Sequence, residues 1–170
     1  MQAKATQTTY LNGKIKQTIM QCAVSVDTGK QERDVINLYP DLTGQTVRGF
    51  GGAITEAASY TLLQMPTGIQ HQILQDVFGA EGLRYTMVRT SIDSCDFSLT
   101  QYEAASQANA PLDLSHDEAS IIPMIHQAQK FCPEPIQVML TPWSPPAYMK
   151  DNGTRSFGGR LKQDCAAQWA

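Results

Sequence analysis

The side chains best placed to do chemistry sit in three short segments. Trp143 lies in Thr141-Pro142-Trp143-Ser144-Pro145-Pro146, where three prolines around one indole remove backbone donors and fix φ. The indole offers an apolar face and one N–H donor. Asp93 and Asp96 lie in Thr90-Ser91-Ile92-Asp93-Ser94-Cys95-Asp96-Phe97-Ser98, directly after Arg89. An ionised carboxylate only accepts hydrogen bonds, and it can take two donors in one geometry. The planar fork of Arg89 suits a carboxylate. Glu56 follows Gly49-Phe50-Gly51-Gly52-Ala53-Ile54-Thr55. Each residue also has a plainer reading. Trp143 could lock a loop, and Asp96 could cap a turn. Arg89 could pair with Asp93 or Asp96, and Asp93 could be a turn residue. Glu56 could complement a helix dipole. Asn152-Gly153 is a turn that could also line a cleft.

The elements that must position these residues follow from hydrophobic patterning. Strands are expected over 46–53, 83–89 and 136–140, each finishing in a loop rich in Gly, Asp or Trp. Between the first two, Thr55 is a candidate N-cap for a helix carrying Ala57, Ala58, Leu62 and Leu63, interrupted at Met65-Pro66. A second helix places Ile69, Ile73, Leu74, Val77 and Phe78 on one face and stops at Gly79. Gln101 to Leu114 is a long polar, Ala-rich loop. Ser115-His116-Asp117-Glu118 has the form of a capping box opening a helix through Ile121, Ile122, Ile125 and Ala128, with Pro123 expected to kink it unless it falls in the first turns. The order is βαβαβ. Right-handed crossovers bring the three strand ends to one face of a parallel sheet, where (β/α) barrels carry their ligand contacts. Ahead of this, Thr18–Val26 and Val35–Pro40 are β-prone, joined through the turn Asp27-Thr28-Gly29-Lys30.

Gly49-Phe50-Gly51-Gly52-Ala53-Ile54-Thr55-Glu56-Ala57 resembles the opening motif of glycoside hydrolase family 30, the glucosylceramidase-like enzymes. Ser94-Cys95-Asp96-Phe97-Ser98 resembles the family's second-strand loop, and Thr141 through Gly153 its third. Gly158-Gly159-Arg160-Leu161-Lys162 and Trp169-Ala170 continue the likeness, which covers about Val35 to Ala170. The resemblance implies a TIM (β/α)8 barrel, of which about three βα units lie here. Residues 1–44 would be strands of a side β-sandwich and residues 45–170 a truncated catalytic barrel. A full barrel runs to about 250 residues.

The resemblance further implies a retaining β-glycosidase acting on glucosylceramide-type, β-glucan or β-glucoside substrates, without metal or cofactor. Its substrate-binding residues would be Asp96 and Trp143, with Arg89 and Asn152 in support. The acid/base and nucleophile are glutamates on later strands of the family's barrel, so they are expected beyond Ala170 and no catalytic residue is assigned here. The alternative is a non-catalytic carbohydrate-binding or inactive fragment. Such a three-stranded open sheet would expose apolar edges and faces.

Composition excludes other classes. Net charge is −3 without a basic patch, which argues against nucleic acid. Gly51-Gly52 lacks the spacing and the Lys-Ser/Thr ending of a phosphate loop. Cys22, Cys95, Cys132 and Cys165 form no CxxC pair, and His71, His116 and His126 no metal motif. No apolar run is long enough to span a bilayer. The start, Met1-Gln2-Ala3-Lys4-Ala5-Thr6, lacks the apolar core of a signal peptide. That points to the cytoplasm, or to secretion where the N-terminus is incomplete.

Overall fold

The computed structural model describes residues 2–25 and 37–170, in two compact units, Met1–Gln45 and Thr46–Ala170. In the first unit, β1 (Gln2–Leu11) and β2 (Lys14–Ala23) form an antiparallel hairpin with Leu11 opposite Lys14 and Gln2 opposite Ala23. Asn12 (φ 51) and Gly13 (φ 73) close it, both in the left-handed region that a two-residue type I′ turn demands. Of the two β-prone segments, Thr18–Ala23 is strand and pairs with β1. Asn-Gly sets the register, while the polar Gln, Thr and Lys of β1 conceal its alternation. Asn37 to Pro40 form no strand; Leu42 N–H instead bonds Tyr39 C=O at 3.0 Å in a turn. The Asp27–Lys30 turn and Val35-Ile36 lie outside the described residues.

The second unit holds a parallel sheet of order β3-β4-β5, made of Gly51–Ala53, Met87–Ile92 and Gln137–Pro142. Pairing starts later than the apolar runs suggest. Gly51 must lie flat against β4: a Cβ there would stand 1.9 Å from Met87 O, a backbone atom that cannot yield. Leu83 and Tyr85 are not strand residues, because their N–H groups bond Asp76 and Val77 C=O at the end of the preceding helix, with Arg84 turned to φ 52. β5 runs through Thr141 to Pro142, which sits opposite Ile92.

Helices α1 (Glu56–Leu63) and α2 (Thr67–Phe78) connect β3 to β4. Thr55 caps α1, its Oγ1 accepting from Ala58 N–H at 3.2 Å. Leu74 and Phe78 of α2 are buried, but Ile69 is 50% exposed. The inward position of that turn goes to Gln70, whose Nε2 donates to Met65 O at 2.8 Å and closes the α1–α2 corner.

Between β4 and β5 the expected single helix is two, α3 (Ser115–Ala119) and α4 (Ile121–Phe131), broken at Ser120 (φ −147, ψ −55). Pro123 falls in the first turn of α4, where a missing N–H costs nothing. Ser115 is inside α3 rather than its cap; Asp113 Oδ1 accepts the Ser115 N–H at 2.9 Å. That bond holds the Asp113 carboxyl below the usual carboxylate range. Beyond β5, short 3-10 turns at Ala147–Met149 and Gln163–Cys165 lead to α5 (Ala166–Trp169).

Ile54, Leu62, Leu74, Phe78, Val88, Met124 and Ala128 form the core between the sheet and helices α1, α2 and α4. Val138, Met139 and Leu140 of β5 stay exposed, as a short open sheet requires. The unit is therefore a three-stranded portion of a (β/α) barrel. Among the described residues no helix is long and apolar enough to cross a membrane. Cys132 and Cys165 are buried thiols, while Cys22 and Cys95 are partly exposed. Leu74 is 1% exposed, so Leu74→Ala should cost about 2–5 kcal/mol in urea denaturation. The half-exposed Ile69 should cost below about 0.5 kcal/mol when changed to Ala.

Candidate functional site

Because β4 and β5 are parallel and Ile92 sits opposite Pro142, the loops that follow them leave the sheet at one rim. They enclose a cavity of about 190 Å³, lined by Ser94, Asp96, Gln101, Trp143, Ser144 and Arg155 among others. The sheet thus brings Asp96 and Trp143, 47 positions apart in the chain, to one pocket.

Trp143 is 46% exposed, so it is no core plug. The Arg89 guanidinium carbon lies 5.1 Å from the Trp143 ring centroid, a cation–π contact that steadies the indole. Arg89 makes no ion pair among the described residues, and Asp93 is already taken by another cation. Asp96 is exposed, and no hydrogen bond engages its carboxylate among the described residues. It does not cap the turn. Ser98 does so instead, its Oγ accepting from Cys95 N–H at 3.0 Å and its own N–H bonding Cys95 O at 3.1 Å.

Asn152 is absent from the cavity wall. Its amide donates to Phe157 O (3.4 Å) and Gly158 O (3.2 Å), and its Oδ1 accepts from Thr154 N–H (3.3 Å). The structure thus makes it a loop brace in place of the suggested cleft-lining role: both its amide N–H donors and one lone pair of Oδ1 are used inside its own loop.

Beneath the cavity lies a buried ion pair that patterning does not announce. Arg155 Nη2 bonds Asp93 Oδ2 at 2.9 Å, with side chains only 5% and 6% exposed. Asp93 takes a left-handed turn (φ 59), which Asp tolerates better than most residues. Its Oδ1 accepts the Ala104 N–H at 2.8 Å. Lys150 is buried beside the pair and donates to Arg155 O at 3.0 Å. Nε and Nη1 of Arg155 are buried without a partner among the described residues. An arginine in the Gly/Ser-rich stretch 152–159 reads as solvated, and only the non-local partner Asp93 changes that.

Glu56 also does more than face a helix dipole. It is buried; Oε2 accepts from Leu99 N–H at 2.9 Å, and Oε1 meets His116 Nε2 at 2.7 Å. The His116 ring stacks on Tyr102 at 3.7 Å and 17°. Tyr102 Oη donates to Asp117 Oδ1 at 2.8 Å. Burial, then the bond to Asp117, pushes the Tyr102 hydroxyl far above its ordinary pKa, so it remains a donor.

A parallel sheet portion with helices on one side, and a polar cavity with an aromatic wall at its strand ends, define part of a (β/α)-barrel domain, a fold whose ligand sites lie at the carboxyl rim. A family model described as Glycosyl hydrolase family 30 TIM-barrel domain matches residues 47–169. The chain belongs to glycoside hydrolase family 30. It is 34% identical over 133 residues to the lysosomal acid glucosylceramidase of Mus musculus, covering 75% of this chain and 26% of that protein. Among solved structures, SrfJ from Salmonella typhimurium aligns at TM-score 0.68 and 39% identity, over 74% of this chain and 29% of the other. An endo-β1,6-glucanase aligns at TM-score 0.64 and 31% identity, over 75% and 30%. The chain spans about a quarter of the length of the curated relatives it matches.

Removing one partner of a buried ion pair leaves an uncompensated charge. Arg155→Met should destabilise by about 3–5 kcal/mol in chemical denaturation. Asp93→Asn in the same chain should recover part of that loss, because the amide still accepts from Ala104 and no charge is stranded.

Proposed function

We infer that this chain supplies the sugar-holding part of a retaining β-glycosidase for glucosylceramide-type, β-glucan or β-glucoside substrates. One observation carries the reading: an unengaged carboxylate and a half-exposed indole share one cavity at the carboxyl ends of β4 and β5. A pyranose presents hydroxyl donors at its edge and C–H groups on its face. Asp96 accepts the donors, and Trp143 covers the face. Arg89 holds the indole in place through its contact with the ring. Family membership supports the reaction class.

Retention of configuration needs two carboxyl groups about 5 Å apart, one as nucleophile and one as acid/base. On this reading both are glutamates outside this chain, and Asp96 is a binding residue. Fixing the sugar's hydroxyls orients the anomeric carbon for attack, so its contribution appears in the rate as well as in binding.

The 170-residue chain alone should show no hydrolysis of an aryl β-glucoside. Turnover that Asp96→Ala abolishes would contradict the placement of both catalytic carboxylates elsewhere. In a protein completed with the remaining barrel strands, Asp96→Ala and Trp143→Ala should each lower kcat/KM at least about tenfold, or about 1.4 kcal/mol. Unchanged kcat/KM in both would remove the sugar-pocket assignment.

A further inference from the structure

Asp96 has no hydrogen bond of its own among the described residues, so its position is imposed by its neighbours. The Cys95–Ser98 turn is local and shapes the loop without attaching it to the fold. Attachment comes from two buried carboxylates and one backbone bond. Asp93 holds the far side of the loop through Ala104 N–H. Glu56 holds the near side: Oε2 takes the Leu99 N–H three residues from Asp96, while the Ala57 N–H next to it bonds Phe97 O at 3.0 Å. A first-turn Glu serving only the helix dipole would stand in solvent and need no partner. This one is buried, and its second oxygen is matched by His116 Nε2, whose ring is fixed by stacking on Tyr102. Three elements therefore meet on one carboxylate: the start of α1, the Asp96 loop and α3.

We propose that Glu56, backed by His116, is the positioning residue for Asp96, fixing Phe97–Leu99 so that the Asp96 carboxylate is presented to the cavity beside Trp143. This rests on the reading of Asp96 as a sugar acceptor. The role needs an acceptor for Leu99 and a partner for His116, and it does not need charge. Glutamine meets both needs, with its carbonyl oxygen on Leu99 and its amide donating to a neutral His116. Alanine meets neither.

The test uses the isotope-labelled 170-residue chain with methyl β-D-glucopyranoside as probe, followed by amide chemical shifts and amide hydrogen exchange. In Glu56→Ala, exchange at Leu99 should quicken at least about tenfold while Leu74 and Ala128 in the core keep their wild-type rates. The glycoside concentration at half-titration should rise at least about fivefold. Glu56→Gln should restore both, and His116→Ala should fall between the two. Wild-type behaviour in Glu56→Ala overturns the proposal. So does equal loosening of Leu74 and Ala128, or failure of Gln to rescue, since either would make Glu56 a general packing residue. Asp96→Asn separates the two ideas. If it abolishes the titration while Glu56→Ala does not weaken it, the positioning role alone fails. If the probe shifts no amide in the wild-type chain, or Asp96→Asn titrates normally, the sugar reading fails and the positioning role with it.

Discussion

The cavity exists because Asp93 and Arg155 meet beneath it. One ends the β4 strand's approach to the rim and the other lies in the loop after β5, so their contact joins the two walls that carry Asp96 and Trp143. Taking two charges out of water is costly, and an ion pair offsets that cost only with good geometry and further bonds. Here Asp93 gains the Ala104 N–H, and Lys150 ties down the Arg155 carbonyl. The pair brings specificity more than stability. With Asp93 occupied, Arg89 is left to rest on the Trp143 ring, and Asp96 stays at the surface without a partner among the described residues.

Much of the sheet and helix order was legible because it rests on local signals. The three strand ends, the Thr55 cap and the second helix all lie near their expected places, since apolar period and capping chemistry are written within a few residues. Boundaries moved where a distant partner intervened. Tyr85 bonds α2 instead of β3, and Gly51 pairs only where β4 comes within backbone contact. Ile69 lost its inward place to Gln70, because an amide that satisfies a carbonyl at a helix corner outranks one more apolar contact. The first hairpin shows the opposite case: its local signal, Asn12-Gly13, is strong, but the polar residues of β1 hide its alternation beside the more apolar Thr18–Ala23.

The site divides the same way. Asp96 and Trp143 each sit in a distinctive run at a strand end, and the sheet topology brings them to one cavity. Arg155, Lys150 and the Glu56–His116 pair were not legible, because their meaning lies in contacts 62 and 60 positions apart for Asp93–Arg155 and Glu56–His116. Nothing in the sequence near Arg155 indicates its burial, and nothing near His116 indicates its carboxylate partner. Asn152 shows the converse: its place in a distinctive motif suggested a ligand role, but the amide is spent on bracing its own loop.

The parallel pairing of β4 with β5 has a kinetic consequence. Met87 opposes Gln137, so every ladder bond between these strands must close a loop of about fifty residues before it gains anything, and that entropy makes such contacts late ones. The Asp93–Arg155 contact closes a longer loop still. Helices α1 and α2, whose bonds are local, can form while the rest of the unit is still being made. The rim comes last, so in a chain emerging from the ribosome these helices can form before there is any pocket at all.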